Sequence, residues 1–381
     1  MQPAQILCIS FSPLRADSRV LRQIRVLQEH GDVTTVGYGP APDGVVRHIE
    51  VPENASSLPE TPLGVARLAL RRFEAVELQS PGERAVRRET VESGPYDLVV
   101  ANDARALPLA FAAAGGAPVL ADMHEWAREE RATILIWRLL VGPYMEALCQ
   151  KYLPRTAAVT SVSAGLAGLY RDRYGVDAGV VRNAPDFQDL HPSPVPPGTI
   201  RLVHSGTADP DRNIMEVIEA VDRLGDGFTL DLYLLRVPGG HLDALTRRAA
   251  SSPRIFVHPP VPPQTLPRVL NQYDLGVFIY PVRNIGKLYY LPNKFFDFVQ
   301  ARLGLVFSPG PEIEGLIGQY GLGVITKDTS ADALVDALRG ITADQVAGYK
   351  KAADRSARAL SSEPEMATQG ELVSRLLAEG A

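Results

Sequence analysis

In the stretch LPNKFFDF, beginning at Leu291, a lysine stands one residue after an asparagine suited to cap a helix and three residues before an aspartate. If Asn293 caps the helix, Lys294 falls in its first turn, where the helix dipole is positive and a cation is disfavoured by roughly a few tenths of a kcal/mol. An anion resting on that helix start reverses the sign, because backbone N–H groups and the ammonium then converge on one charge. Asp297 shares a face with Lys294 and is suited to accept hydrogen bonds from a ribose diol beside a phosphate. A second cation comes from RLVHSGTADPDRN, where a strand ends near Gly206 and Arg212 precedes the next helix. Gly206 permits close backbone approach, and the guanidinium fork of Arg212 matches phosphate oxygens. Each feature alone is also explained by a turn glycine or a solvated side chain. Two cations from two strand-end loops together point to a diphosphate site, although neither loop has the P-loop pattern and no GxGxxG follows the first strand.

Other candidates lie in the first half of the chain. VLADMHEW places His124 and Glu125 directly after a strand, where His124 suits contact with a substrate hydroxyl or proton sharing, against the commoner structural role of a lone histidine. Asp103 follows DLVVAN, and Asp17 and Arg19 lie in SFSPLRADSRV; these are candidate substrate contacts, with helix capping the simpler role. His204 and His258 lie in or beside apolar strands and read as satisfied core histidines. No HExxH spacing, GxSxG elbow or clear DxD pair occurs, so the expectation is a reaction that uses no metal and no resident cofactor.

These residues need a scaffold. A chain of 381 residues exceeds the size at which one core stops growing, about 250–300 residues, so two domains are expected. Apolar runs (ILCIS, VTTVGY, DLVVA, PVLADM, AAVTSV) alternate with helix-compatible stretches, as in βαβ units of a parallel sheet. The rhythm breaks at APDFQDLHPSPVPPGT and resumes with IRLVHSG, FTLDLYLL, RIFVHP, LGVFIY, GLVFSP and LGVIT. The expected organisation is α/β, with one Rossmann-like domain over 1–185, a linker over 186–199, a second over 200–360 and a helical tail over 361–381. Parallel sheets bind ligands at the carboxyl ends of their strands, which makes a cleft between the two domains the expected site.

Composition narrows the partners. A net charge of -5 excludes a nucleic-acid binder that relies on a broad basic surface. The two cysteines, Cys8 and Cys149, allow neither a disulfide framework nor a cysteine-rich zinc site. The opening MQPAQILCISFSP reads as a strand rather than a secretory signal, and ILIWRLLVG is too short to span a bilayer, so a cytoplasmic location is expected. ARLALRRFEAVELQSPGERAVRRE carries arginines among apolar positions. It suits peripheral contact with the inner face of an anionic membrane or, since its glutamates nearly balance its arginines, a solvated amphipathic helix, the reading favoured here.

The order of these motifs resembles the GT-B glycosyltransferases, in particular the retaining family 4 group. The resemblance runs through YDLVVANDARALPLAFAAAGGAPVLADMHEW, TSVSAGLAGLYRDRYGV with VVRNAPDF, HSGTADPDRN, and LPNKFFDFVQARLGLVFSP, and covers nearly the whole chain. It implies two Rossmann-like domains facing a central cleft, with the acceptor on the first and a nucleoside-diphosphate sugar on the second. It further implies Arg212 and Lys294 on the donor diphosphate, Asp297 on the ribose and His124 near the donor sugar. The acceptor, whether a saccharide, a lipid-linked glycan or a small molecule, is not legible. The sequence departs from the family at the Glu-x7-Glu motif, where Tyr289 takes the first position and Asp297 the second, and in the first loop, where SFSPLRADS replaces a glycine-rich turn. Two alternatives stand beside sugar transfer: a sugar-nucleotide epimerase of the same fold, and a catalytically silent protein that binds a sugar nucleotide or a partner.

Overall fold

The apolar runs form the strands of two parallel sheets in the computed structural model, which describes residues 3–380. The first sheet comprises β1 (Ala4–Pro13), β2 (Gly31–Tyr38), β3 (Arg47–Val51), β4 (Leu98–Asn102), β5 (Val119–Met123), β6 (Ala158–Ser161) and β7 (Ala178–Val180), in the order β3-β2-β1-β4-β5-β6-β7. The second comprises β8 (Ile200–Thr207), β9 (Phe228–Leu235), β10 (Ile255–His258), β11 (Leu275–Phe278), β12 (Gly304–Phe307) and β13 (Gly323–Ile325), in the order β10-β9-β8-β11-β12-β13. Helices cover both faces of such sheets, so central strands such as LVVAN and GLVF are buried at every position and must be apolar without alternation. In each sheet the order reverses once, between β1 and β4 and between β8 and β11. Loops diverge at such a switch point and leave a crevice at the strands' carboxyl ends.

The chain divides into two compact units. One contains the chain through Asn183, Asn284–Gly286 and the stretch from Glu365 onward; the other contains Ala184–Arg283 and Lys287–Pro364. The C-terminal helix, Ser362–Gly380, contributes Val373 and Leu376 to the core of the first unit beside Ile6, Leu98 and Leu120. Residues 186–199 have no regular structure, yet they are tied to the second unit rather than lying free as an exposed connector. The Gln188 carbonyl accepts from Arg302 at 2.6 Å, and Ser193 Oγ accepts from the buried Lys350 at 2.9 Å. Those bonds arise because Lys350 and Arg302, both 1% exposed, need acceptors that the regular elements alone do not supply.

Three phenylalanines fix the helix that carries the lysine of interest. Phe295, Phe296 and Phe298 of Asn293–Gln300 are fully buried, each worth about 1.5–3 kcal/mol relative to exposure. Phe298 lies on Gly276 of β11, where a Cβ would come within 2.4 Å of its ring. Lys294 and Asp297 are therefore held on the opposite, half-buried face. The arginine-rich segment is not one amphipathic helix. It is split into Pro62–Ala69, capped by Thr61, and Pro81–Glu92, opened by a capping box between Ser80 and Glu83, because each Ser/Thr-Pro pair restarts a helix. Cys8 and Cys149 are free and buried. No helix among the described residues is long and apolar enough to cross a membrane.

Candidate functional site

In the second unit the candidate donor residues converge at the switch point between β8 and β11. Arg212 ends a short turn, Pro210–Arg212, after β8, and its guanidinium lies 5.1 Å from the ring centroid of Phe278 at the end of β11. His204 of β8 stacks on the same ring at 5.8 Å. Gly206, at φ 148, occupies backbone space that side chains disfavour, and a Cβ there would lie 3.8 Å from Lys294 Cε and 4.0 Å from His204 Nε2. Gly206, His204 and Lys294 are thus neighbours. Lys294 donates to Asp297 at 2.6 Å, an i, i+3 pair whose side chains are 20% and 18% exposed. The cation disfavoured by the helix dipole is balanced by its own helix, one turn on.

Two expectations need correction here. Asn293 is the first helical residue and is exposed; the cap position is Pro292, extended at φ -69 and ψ 144, which offers no side-chain acceptor. Proline fixes the chain in the conformation a helix start needs and moves the boundary one residue earlier. His204 is not a satisfied core histidine. Its Nδ1 is 2.9 Å from the Val277 carbonyl, which can only accept, so Nδ1 carries the proton and Nε2 presents a lone pair. That Nε2 is buried and has no hydrogen-bond partner among the described residues, as is Ser205 Oγ. Burial pushes the imidazole down to about 4, the Val277 carbonyl opposes this, and the Arg212 and Lys294 cations add to the depression. His258, by contrast, is paired with Asp231 and stacked on Tyr233.

In the first unit a different cluster forms at the ends of β1, β4 and β5. Asp122, at the end of β5, accepts from Arg19 Nη2 at 2.6 Å and Arg19 Nε at 3.0 Å, from Thr160 Oγ1 at 2.8 Å and from Gln23 Nε2 at 3.1 Å. Burial alone would raise its pKa, but the charges of Arg19 and His124 hold the carboxyl far below the usual carboxylate range. His124 Nε2 lies 3.2 Å from Asp122 Oδ2 and 3.1 Å from Asn102 Oδ1, and its Nδ1 lies 3.4 Å from Asp103 Oδ2. Only acceptors surround the ring. Burial opposes its charge, yet Asp103 and Asp122 raise its pKa above the ordinary 6.5.

Asp103 does not make the helix cap its position suggests. Its side chain accepts from the His124 backbone N–H at 2.9 Å, and its backbone sits at φ 65 and ψ 166, a region that costs a non-glycine residue about 1–3 kcal/mol. The His124 contacts and a hydrogen bond from the Asp103 N–H to the Asp122 carbonyl, 2.9 Å, hold it there. Asp17 takes the bland role and caps the helix Ser18–Gln28 through the Val20 N–H. Arg19, 5% exposed, is committed to Asp122 and to the Val181 carbonyl. Glu125 is half-buried, and its carbonyl accepts from the Tyr170 hydroxyl at 2.8 Å. The residues missed from the sequence are Asp122, Asn102 in its network role, Gln23 and Phe278. The first three were within reach of one signal, polar side chains at the carboxyl ends of fully apolar strands or on the helix facing them. Among the described residues no group of three or more His, Cys, Asp and Glu is arranged to hold a metal ion.

No family model and no curated protein matches the sequence. Solved structures do. Anabaena HepE in complex with UDP-glucose superposes with a TM-score of 0.70 at 13% identity, over 98% of this chain and 100% of that one. Sucrose-phosphate synthase from Thermosynechococcus elongatus gives 0.69 at 14% identity, over 99% and 100%. A glycosyltransferase from Rickettsia africae gives 0.66 at 12% identity, over 99% of both chains. With two parallel sheets, each reversing its strand order once, the chain has the GT-B glycosyltransferase fold.

Proposed function

We propose that the protein is a glycosyltransferase that moves a sugar from a nucleoside-diphosphate sugar to an acceptor hydroxyl, with the diphosphate held by Arg212 and Lys294 and without a metal. The observation that carries this reading is the second unit's switch point, where two side-chain cations, a glycine and a buried, unpartnered histidine nitrogen meet. In the reaction the bond from the anomeric carbon to the β-phosphate oxygen breaks, with its electron pair leaving on the diphosphate. The acceptor oxygen takes the carbon, and its proton passes to the departing phosphate or to solvent. Arg212 and Lys294 would stabilise the charge that grows on the diphosphate, in a fixed arrangement that needs no reorganisation. An arriving anion competes with Asp297 for Lys294, which frees the Asp297 carboxylate to accept from the ribose hydroxyls. His124, held between Asp103 and Asp122, is the residue that the resemblance sets near the donor sugar. Retention of configuration rests on the same resemblance, with Tyr289 standing where the family places a glutamate.

UDP-glucose, the ligand of HepE, is the first donor to test. Release of UDP that depends on an added acceptor, with the product anomer read by NMR, supports transfer and decides retention; isomerised donor without acceptor indicates an epimerase instead. Arg212→Ala and Lys294→Ala are each expected to lower turnover about 10²–10³-fold, the cost of removing one preorganised charge-stabilising donor. Full activity in both variants overturns the assignment.

A further inference from the structure

On the first unit six large apolar side chains stand in solvent on two segments that touch. Leu63 in the first turn of the helix Pro62–Ala69 and Leu70 just past its end are 59% and 68% exposed. Ile134, Leu135, Ile136 and Leu139, where the chain enters the π-helical turn Trp137–Val141, are 51%, 58%, 67% and 51% exposed. The helix packs against that turn, so the six residues lie on adjoining segments. Apolar residues scattered singly over a surface need no explanation, but a concentration of this kind marks a face built to be covered.

The same segments are basic. Arg71, Arg72 and Arg138 are exposed and form no ion pair among the described residues. Arg67 reaches the Ala75 carbonyl, and Arg131, 3.7 Å from Glu130, lies over the Trp137 ring. Arg71 is held in the left-handed region at φ 56. This basic character is local, because the whole chain carries a net charge of -5.

We propose that this face docks on an anionic lipid bilayer, with the leucines and isoleucines at the boundary between headgroups and acyl chains and the arginines on the lipid phosphates. Charge complementarity selects this occupant. Segments lying in the plane of a bilayer combine large apolar side chains with Arg and Lys, and arginines without carboxylate partners beside those side chains are attracted to an anionic lipid surface. The run ILIWRLLVG, too short to cross a membrane, is suited to lie on one. Only the first part of the arginine-rich segment named from the sequence takes part, joined by a run 60 residues or so further on that folding brings against it. Docking needs no nucleotide, so this inference stands or falls independently of the donor reading.

The test is sedimentation of the full chain with vesicles of equimolar phosphatidylglycerol and phosphatidylcholine, and with vesicles of phosphatidylcholine alone. The expected result is binding to the anionic vesicles that weakens steeply with salt and is absent from the neutral ones. Arg71→Gln/Arg72→Gln/Arg138→Gln should weaken it about a hundredfold. Ile136→Glu/Leu139→Glu should abolish it with an unchanged unfolding midpoint, since both side chains are exposed. No binding of the wild type to anionic vesicles, equal binding to neutral ones, or binding that survives both sets of substitutions overturns the proposal. So does a wild-type dimer that Ile136→Glu/Leu139→Glu converts to a monomer without any vesicle binding, which would assign the face to a second copy of the chain.

Discussion

Two polar clusters sit at the two switch points, and they are built in opposite ways. Around Asp122 in the first unit every partner is supplied: Arg19, Gln23, Thr160 and His124 all meet the carboxylate, and His124 is ringed by acceptors. Around Gly206 in the second unit the count is incomplete, with His204 Nε2 lacking a partner and two cations close by. A buried polar atom left unpaired costs about 1–3 kcal/mol, an expense a fold does not carry without compensation. The first cluster is a finished framework that fixes His124 and Asp103, whereas the second leaves a buried histidine nitrogen without a partner among the described residues beside two cations.

The largest effect is expected where the first cluster loses its centre. Asp122→Ala leaves the 5%-exposed Arg19 as a buried, unpaired cation, and should destabilise the protein by about 3–5 kcal/mol in denaturant unfolding. Exchanging Arg19 and Asp122 together for Met and Leu should cost distinctly less. A small effect of Asp122→Ala would mean that water reaches the cluster. In the second unit the expected balance is reversed: Lys294→Ala, at a side chain 20% exposed, should change stability by less than about 1 kcal/mol while removing most turnover. Equal loss of stability and activity would mark Lys294 as structural.

The two histidines sharpen the contrast because they should respond to pH in opposite directions. His204 titrates at about 4 in the folded protein against an ordinary 6.5, so the unfolded chain binds more protons between those values. Its contribution is full above 6.5 and lost as pH falls towards 4. His124 has a raised folded pKa, so its contribution is full below 6.5 and lost as pH rises through the folded value. Subtracting the stability–pH curves of His204→Phe and His124→Gln from that of the wild type should give slopes of opposite sign; the same sign would contradict the two environments. A smaller effect completes the series. Gly206→Ala, at φ 148, should cost about 1 kcal/mol in backbone strain, and should weaken diphosphate binding further because the new methyl faces Lys294 and His204.

Much of the fold was legible because a strand covered on both faces must be apolar throughout, and runs such as DLVVA and GLVFSP declared themselves that way. Of the four edge strands, β10 and β13 were read from their apolar runs, whereas β3, RHIEV, and β7, AGV, were not, because a short or charged edge strand looks like a loop. Candidate residues were legible by type and by their place after a strand. Their partners were not, because partnership is decided by topology: Arg19 and Asp122 meet across 103 positions and His204 and Val277 across 73. For the same reason Asp103 read as a cap and His204 as satisfied. Each depends on a neighbour that only the sheet order brings close.

If a nucleoside diphosphate completes the second unit's cluster, as proposed, calorimetric titration with nucleoside diphosphates reveals it in wild type, Lys294→Ala and His204→Phe. The expected result is binding by one base family that Lys294→Ala weakens at least about tenfold, accompanied near pH 6 by proton uptake that His204→Phe reduces, since a bound anion beside Nε2 restores the basicity the cations suppress. Absence of binding by every nucleoside diphosphate, or binding indifferent to Lys294→Ala, would contradict it.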